Sequence, residues 1–377
     1  MKKINILYIV LELFAGGLEN GIVNLINNSS DEFNHIICCL RQKGVFANRL
    51  KKAVKTYQLN MKYGNDYSLP CKIYKIIKDE KVDIVRAFNE EPFFYSILPA
   101  RFARTPIIYY NGGRTFPEKK RRLIMEKVFG NRASRVVVPS KELKDYLASN
   151  VGIRNDLISV IHNGVDLNRF KNEINVVEKK RELRIPERDL VIGTVGRLVR
   201  QKDIPTFLMI AKRLLSDQND ITFLIAGDGD LKSDLTRLTK EYAIENKVKF
   251  LGIRDDIEEI YSVMDIFLMT ARWEGMSNVL LEAMSSRKPI LTTNVEGVNE
   301  IISDGEQGFI LNAGDVDGFV QKILHLDYSK RIEMGEKAFK KVSKSFSIRN
   351  MVREYENLYY EIKGVYPKTT INLRLMY

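Results

Sequence analysis

The sequence contains few of the residues that build metal and redox sites. Its 377 residues include three histidines, which lie in three separate segments, and three cysteines. Cys38 and Cys39 are adjacent and Cys71 stands apart, so no Cys-x-x-Cys or His-x-Cys spacing suited to zinc occurs. This scarcity argues against a histidine base or a histidine-rich metal site, and the cysteine usage fits a reducing cytoplasm.

Long hydrophobic runs are also missing. No stretch approaches the roughly 18 to 20 uninterrupted apolar residues of a membrane-spanning helix. The first residues, "MKKINILYIVLELFAGG", imitate a signal peptide, but Glu12 interrupts the apolar run and no small-x-small cleavage site follows. Because the run ends in a Gly-Gly turn, it predicts a strand, a loop and a helix rather than a leader.

The sequence is long and carries an excess of positive charge. A chain of 377 residues predicts two domains, since a single core rarely grows to this size. The net charge is +12, and the whole excess lies in residues 1–170, with 28 Lys and Arg against 16 Asp and Glu, whereas residues 171–377 hold 32 of each sign. We therefore expect the first domain to meet an anionic ligand or surface.

Short apolar runs alternate with helical patterns along the chain. They read INILYIV, HIICCL, DIVRAF, PIIYYN and RVVVPS in the first half, and LVIGTVG, ITFLIAG, VKFLG, DIFLMT, PILTTN and GFIL in the second. Near-continuous apolar runs are typical of parallel strands covered on both faces. The pattern predicts an α/β protein with two doubly wound Rossmann-like domains facing across a cleft, at 1–170 and 171–345, and a C-terminal segment at 346–377 whose helix crosses the junction.

Residues 273–284, "WEGMSNVLLEAM", follow a predicted strand and open a helix. Ser277 or Asn278 suits the N-cap, and the amides of residues 275–279 then form a phosphate site at the positive helix end. Glu282, one turn inside, is placed to take the hydroxyls of a ribose, and Glu274 to reach a group beyond the phosphate. A capped surface helix with two solvated glutamates is the alternative.

Two further turns carry groups suited to a diphosphate. After the strand that ends at Gly196, Arg197 and Lys202 offer a guanidinium fork and a point charge, with solvated loop charges as the alternative. In the first half, Gly16 and Gly17 allow close backbone approach at the start of a helix. They do not form the G-x-G-x-x-G dinucleotide pattern.

The stretch "AGDGDLKSDL" contains another turn between a strand and a helix. Asp228 and Asp230 could ligate Mg²⁺. The simpler interpretation is that they bend the turn and cap the helix, because aspartate is common in both positions.

Together these motifs resemble glycosyltransferase family 4, which has the GT-B architecture. The resemblance covers nearly the whole chain and rests on the order and spacing of its motifs. These are Gly-Gly-x-Glu at 16–19, HNGVD at the predicted join, GRL with Lys202, AGDG, FLG, and the pair Glu274 and Glu282. It implies a retaining transfer of a sugar from a nucleotide donor, usually a UDP-sugar, without a metal ion or other cofactor.

The resemblance also implies a role for each matching residue. Arg197 and Lys202 neutralise the diphosphate and Glu274 binds the donor sugar, so these three are the expected catalytic groups, while Glu282 holds the ribose. Fixed cations and amides suit this reaction because negative charge develops on the leaving diphosphate. The other expected substrate contacts are Gly16, Gly17, Gly196, Leu251, Ile253, Arg254, Gly275, Met276, Ser277, Asn278 and Val279.

One position departs from the family pattern. Many relatives carry a histidine after the strand that corresponds to PIIYYN, where this chain has Asn111. An amide can hydrogen-bond a sugar hydroxyl but cannot accept a proton at neutral pH. We therefore expect Asn111 to contact the donor sugar and assign no catalytic base.

The first domain is the acceptor side in this family. Its basic stretches are RLKKAVK at 49–55 and EKKRRLIMEK at 118–127, and the second mixes cations with apolar residues. This favours a glycan or polyprenyl-linked acceptor and peripheral contact with an anionic membrane at its cytoplasmic face, with a solvated basic face as the alternative. No aromatic residues interleave with the basic ones, so no nucleic-acid partner is expected.

Two other functions stay open at this point. A sugar-nucleotide epimerase or hydrolase of the same architecture would consume the nucleotide sugar without an acceptor. A non-catalytic basic protein that binds membrane or nucleic acid would not bind a uridine nucleotide at all.

Overall fold

The computed structural model describes residues 3–14, 16–62, 64–114, 120–170 and 174–365. The chain divides after Gly164 and again before Ile348: the two outer segments form a first unit, and Val165–Ser347 forms a second. The predicted division at residue 170 is therefore slightly late, because Leu167 and Phe170 pack against the core of the second unit. That the C-terminal helix crosses the junction stays a prediction, and residues 366–377 of the predicted tail lie outside the described residues.

The first unit contains a parallel sheet of seven strands. The strands are β1 (Ile4–Val10), β2 (Phe33–Cys39), β3 (Lys55–Gln58), β4 (Ile84–Phe88), β5 (Ile107–Tyr110), β6 (Arg135–Val138) and β7 (Ile158–Val160). Their order is β3-β2-β1-β4-β5-β6-β7, so the direction of winding reverses between β1 and β4. The apolar runs did not predict β3 and β7. Both are short edge strands that lack a long apolar run.

The second unit contains a parallel sheet of six strands, all of which the apolar runs predicted. They are β8 (Leu190–Val195), β9 (Ile221–Ala226), β10 (Val248–Gly252), β11 (Ile266–Met269), β12 (Ile290–Thr293) and β13 (Gly308–Leu311). The order is β10-β9-β8-β11-β12-β13, and the winding reverses between β8 and β11. Both units are thus doubly wound Rossmann-like folds, as predicted.

Helices cover both faces of each sheet. In chain order they are α1 (Gly17–Asn28), α2 (Leu69–Asp79), α3 (Glu90–Ala103), α4 (Lys120–Gly130), α5 (Lys141–Tyr146), α6 (Val176–Glu182), α7 (Ile204–Leu215), α8 (Lys232–Glu241), α9 (Ile257–Val263), α10 (Asn278–Ser285), α11 (Val298–Ile301), α12 (Val316–Leu324), α13 (Tyr328–Ser345) and α14 (Ile348–Lys363). Within the described ranges, none has the length and apolarity that a membrane span requires.

Each sheet has two separate hydrophobic layers, because successive side chains of a strand point to opposite faces. In β1, Ile6, Tyr8 and Val10 lie in one layer and Leu7 and Ile9 in the other. The last helix, α14, buries an apolar stripe of period three to four in the first of these layers. The stripe consists of Ile348, Met351, Val352, Tyr355, Leu358, Tyr359 and Tyr360.

Candidate active site

In the second unit, most predicted site residues follow two strands that flank the reversal of strand order. The loop after β8 carries Gly196, Arg197 and Lys202, and the loop after β11 carries Glu274 and the residues up to α10. In doubly wound sheets this switch point, outside the carboxyl ends of the strands, is where ligands bind. The topology therefore brings together groups that lie more than 70 residues apart in the sequence.

These two loops are fastened to each other by hydrogen bonds. Lys202 Nζ donates to Glu274 Oε1, and both side chains are mostly buried, with 14% and 11% of their surface exposed. Gln201 Nε2 donates to the Trp273 carbonyl at 2.9 Å, and the Arg272 amide donates to the Gln201 carbonyl at 2.8 Å. Two of the three predicted catalytic residues thus form an ion pair inside a rigidly connected pair of loops.

Arg197 lies at the surface of the same loop. Its side chain is exposed, and no ion pair with it is formed by the residues that the structure describes. Gly196 before it has φ of +152° and donates its amide to the Ala226 carbonyl at 2.9 Å. A guanidinium held this way can turn toward an anion without first breaking a salt bridge.

The loop after β9 supports the Gly196 turn through its glycines. A Cβ on Gly227 would lie 1.9 Å from the Gly196 carbonyl oxygen, and one on Gly229 would lie 2.6 Å from the Leu198 carbonyl oxygen. The AGDG motif is therefore explained by close backbone packing behind the Arg197 loop. No side chain other than hydrogen fits at these two positions.

Asp228 bends this turn but does not cap the following helix. Its Oδ1 accepts a hydrogen bond from the Gly229 amide at 2.8 Å, and its Oδ2 accepts one from Lys232 Nζ at 3.1 Å. These two bonds lower the pKa of the carboxyl. The N-cap position of α8 is Leu231, so the predicted cap by Asp228 or Asp230 is wrong. In the described part of the chain, no group of three or more His, Cys, Asp or Glu side chains is arranged for a metal ion.

The start of α10 differs from the prediction in one detail. Ser277 occupies the N-cap position but makes no side-chain capping bond, because its hydroxyl lies 3.4 Å from the sulfur of Met269 at the end of β11. Asn278 is the first residue of the helix. Gly275, Met276 and Val279 flank the same helix start, and the Ser277 side chain does not occupy its amides.

Glu282 is positioned by a buried tyrosine of α9. Tyr261, which is 0% exposed, donates its hydroxyl to Glu282 Oε2 at 3.0 Å. Burial and the Glu282 charge raise the pKa of Tyr261 well above its usual value, so the hydroxyl keeps its proton. Tyr261 was not predicted from the sequence, because its spacing is that of an ordinary core aromatic residue.

The turn after β10 contributes an apolar wall and a bound arginine. Ile253 is 70% exposed, whereas Arg254 donates from Nε to Asp256 Oδ1 at 2.7 Å and forms a second pair with Glu182. Leu251 is partly buried against the core. Of these three predicted substrate contacts, Ile253 presents the most open surface.

In the first unit, Gly16 and Gly17 lie beside the other reversal of strand order, in the loop after β1. Gly16 is the N-cap of α1 and Gly17 its first residue. A Cβ on Gly16 would lie 2.2 Å from Glu19 Oε2, so the Glu19 carboxylate folds back over the helix start.

Asn111, at the end of β5, is held by neighbours in the first unit. It is 5% exposed, its Nδ2 donates to Glu126 Oε1 at 2.6 Å, and its Oδ1 accepts from the Gly113 amide at 3.0 Å. Tyr109 donates to the same Glu126 oxygen at 2.8 Å. The Asn111 amide is thus fixed by a buried carboxylate that the sequence did not reveal, and its contact with a donor sugar stays a prediction.

Family models match both halves of the chain. Residues 15–169 match "Glycosyltransferase Family 4", and residues 175–341 match "Glycosyl transferases group 1". The chain is a family 4 glycosyltransferase.

The glycosyltransferase is similar to enzymes of bacterial surface polysaccharides. It is 26% identical, over 96% of its own length and 98% of the relative, to UDP-Gal:alpha-D-GlcNAc-diphosphoundecaprenol alpha-1,3-galactosyltransferase of Escherichia coli. It is also 28% identical to the capsular polysaccharide biosynthesis glycosyltransferase CapM of Staphylococcus aureus, over 63% of this chain and 64% of CapM.

Solved structures of glycosyltransferases share its fold. A glycosyltransferase from Rickettsia africae superimposes with a TM-score of 0.83 at 22% identity, covering 96% of this chain and 99% of that one. Anabaena Alr3699/HepE in complex with UDP and glucose also gives 0.83, at 21% identity, covering 94% and 98%. The glycosyltransferase therefore has the predicted GT-B type of fold.

Proposed function

We propose that this glycosyltransferase moves a sugar, with retention of its anomeric configuration, from a UDP-sugar to a glycan or lipid-linked acceptor of a bacterial cell envelope. The observation that carries the proposal is the Lys202–Glu274 ion pair at the switch point, with the exposed Arg197 on the same loop. Two relatives support it by what their names state: one uses UDP-Gal and a diphosphoundecaprenol-linked GlcNAc, and HepE was solved with UDP and glucose.

The site chemistry suits departure of a diphosphate. As the glycosyl–oxygen bond breaks, negative charge grows on the diphosphate, and Arg197 and Lys202 supply two fixed positive charges for it. Glu274, released from Lys202 when the diphosphate binds, is then available to accept hydrogen bonds from donor-sugar hydroxyls. Because the two cations supply the charge, we expect transfer to proceed without an added metal ion.

Nucleotide binding tests the donor half of the proposal. Titration calorimetry with UDP should show binding to the intact chain, weaker binding to Glu282→Ala, and unchanged binding to Glu245→Ala, an exposed glutamate elsewhere in the second unit. A chain that binds no uridine nucleotide would support the non-catalytic alternative and contradict the proposal.

Turnover tests the catalytic half. Arg197→Ala with Lys202→Ala should lower the rate of transfer by about 100-fold or more, since one donor lost from a developing anion has about that effect. The matched control is Arg188→Ala, an exposed arginine that precedes β8 at the opposite end of the strand. UDP release that does not depend on any acceptor would favour the epimerase or hydrolase alternative.

We also propose that the enzyme works at the cytoplasmic face of the membrane, in peripheral contact with anionic lipid through α4. This helix exposes Ile124, Met125 and Val128, with 62%, 41% and 41% of their surfaces accessible, beside exposed Lys120 and Arg121. Apolar side chains flanked by cations are suited to an anionic bilayer surface. Residues 118–119 of the predicted basic stretch lie outside the described residues.

The other basic stretch, 49–55, is less suited to lipid. Lys52 donates to the Ser29 carbonyl and pairs with Asp31 at 3.3 Å, and Lys55 pairs with Glu80. These partners already neutralise part of its charge.

Sedimentation with vesicles tests the membrane contact. Vesicles rich in phosphatidylglycerol should bind the intact chain at low salt and release it as salt rises, since the Debye length shortens. Ile124→Glu with Val128→Glu should weaken the binding, and Ile332→Glu, an equally exposed position on α13, should not. No binding of the intact chain at low salt would rule the contact out.

A further inference from the structure

An arginine of the first unit is fully buried, and among the described residues it has no carboxylate partner. Arg86, in β4, is 1% exposed, and no described residue forms a carboxylate ion pair with it. Its Nη1 donates to the Tyr359 hydroxyl at 2.6 Å, whereas its Nε has no hydrogen-bond partner in the described part of the chain. A buried guanidinium normally has a counter-charge, because an unpaired buried charge is strongly disfavoured.

Aromatic rings around Arg86 replace only part of the missing counter-charge. The Arg86 guanidinium lies 4.0 Å from the ring centroid of Tyr355, 4.8 Å from that of Phe88 and 5.2 Å from that of Tyr8. Such rings attract a cation through their quadrupoles but carry no net charge. The site is therefore electropositive, and it is pre-formed.

A small cavity adjoins this arginine. It has a volume of about 20 Å³ and lies between α1, β4, β5 and α14, with Arg86, Tyr110, Asn163 and Tyr355 in its lining. Gly17, the first residue of α1, also lines it. The volume corresponds to one or two oxygen-sized atoms.

We propose that this cavity binds a carboxylate-sized anion, either free or carried by a sugar, which acts as the counter-charge of Arg86. The proposal does not depend on the donor site of the second unit, because all residues of the cavity belong to the first. The two oxygens of a carboxylate match this volume, with the rest of the molecule outside it, and they can accept two parallel hydrogen bonds from a guanidinium.

Substitutions at two neighbouring residues test the proposal, because one should block anion binding and the other should strengthen it. Gly21 lines the cavity and a Cβ placed on it meets no atom within 4 Å, so a larger side chain at this position has room to cover the opening of the cavity without removing the charge. Glu19 lies over the start of α1, and its charge raises the pKa of Tyr110 after the larger effect of burial. Its carboxylate therefore opposes an incoming anion.

The experiment measures the Tm of the full-length chain against the concentration of sodium acetate, sodium glucuronate and sodium chloride. Gly21→Leu is compared with its matched control Gly21→Ala, and Arg86→Met and Glu19→Gln are compared with the unmodified chain. General salt effects on stability are common to all variants. Only the differences between variants therefore report on the cavity.

We expect acetate or glucuronate to raise the Tm of the unmodified chain and of Gly21→Ala along a saturable curve, by about 2–4 °C at saturation. Arg86→Met and Gly21→Leu should lose this rise, and Glu19→Gln should reach it at several-fold lower concentration. A response to glucuronate at lower concentration than to acetate identifies a sugar-borne carboxylate, and the reverse identifies a free anion. Equal responses of Gly21→Leu and Gly21→Ala, or a response to chloride alone, overturn the proposal, even where Arg86→Met does not fold.

Discussion

At the scale of single residues, polar side chains inside the two cores prepare the site groups. Tyr261 shows this in the second unit, where its buried hydroxyl holds the carboxylate of Glu282. Asn111 and Glu126 show it in the first unit. In each unit this hydrogen bond holds a candidate site residue in place before a substrate binds. Binding then does not have to order that side chain, which lowers the entropic cost.

The hydroxyl of Tyr261 should affect nucleotide affinity without affecting the fold. Tyr261→Phe removes one hydrogen bond to Glu282, and a bond to a charged group is worth about 1.5–3 kcal/mol, of which rotation of Glu282 toward solvent recovers part. We expect the Kd for UDP to rise about 5-fold, measured by calorimetry. Tyr328→Phe, an exposed tyrosine of α13, is the control, and an unchanged Kd in Tyr261→Phe would mean that Glu282 needs no positioning.

His35 should make the first unit sensitive to acid. Its ring is buried between the Tyr8 hydroxyl at 3.0 Å and the Ser29 hydroxyl at 2.5 Å, and burial, with the charges of Lys52 and Arg86, lowers its pKa to about 3. Between pH 6.5 and 3 the unfolded chain binds a proton that the folded chain does not. The free energy of unfolding therefore falls as pH falls, by up to about 1.4 kcal/mol per pH unit from this residue.

Chemical denaturation at a series of pH values checks this dependence. His35→Gln should lose the part of the slope between pH 6.5 and 4 that comes from the ring. The matched control is His325→Gln, because that ring lies at the surface. Equal slopes in His35→Gln and the unmodified chain would show that the buried ring does not control the acid response.

At the scale of elements, the site depends on how closely neighbouring strand ends approach. The ends of β8, β9 and β10 are joined by hydrogen bonds from Gly196 to Ala226 at 2.9 Å and from Gly227 to Gly252 at 2.7 Å. Arg197 leaves the sheet directly beyond this junction. Its position therefore depends on glycines that carry no chemical group of their own.

Substitution of Gly227 tests whether the loop after β9 holds the Arg197 loop in place. Gly227→Ala places a Cβ 1.9 Å from the Gly196 carbonyl oxygen at φ of +138°, so the Arg197 loop has to move. We expect a loss of about 1–3 kcal/mol in unfolding free energy and weaker UDP binding. Gly314→Ala is the control, because Gly314 has φ of +81° but open space around its Cβ, and it should lose stability alone. Retained UDP affinity in Gly227→Ala would contradict the proposed support.

At the scale of the whole molecule, helix α14 completes the first unit. The helix α14 places its apolar stripe in the core that β1 and α1 also build, and Tyr359 contacts both Tyr8 and Arg86. The first unit is thus made from two segments separated by the entire second unit.

A charge in the apolar stripe of α14 should destabilise the first unit and leave the second unit folded. Val352→Asp buries a carboxylate without a partner, which typically costs about 3–5 kcal/mol. We expect the early loss of one calorimetric transition and retention of the second. Arg353→Asp, the exposed neighbour on the same helix, should leave both transitions near their original temperatures. A simultaneous shift of both transitions in Val352→Asp would mean that the two units do not unfold separately.

The sequence by itself determined the class of fold and located the turns that carry the candidate site residues. Parallel strands that are covered on both faces must be apolar along their length, so apolar runs predicted eleven of the thirteen strands that the structure describes. The strands β3 and β7 were not predicted, because each is a short edge strand. The positions of Arg197, Lys202 and Glu274 in turns after strands, and of Glu282 one turn inside the following helix, also singled out these residues.

Only the tertiary structure decided which side chains meet. The Lys202–Glu274 pair spans 72 residues and the Tyr261–Glu282 bond spans 21, and both depend on the order of strands in the sheet. The Ser277 hydroxyl is turned toward Met269 by packing, which local capping preference does not predict. Arg86 looks like one polar residue in an apolar strand. Only the assembled core shows that it is buried with no carboxylate ion pair from any described residue, because long-range packing brings α1 and α14 over β4.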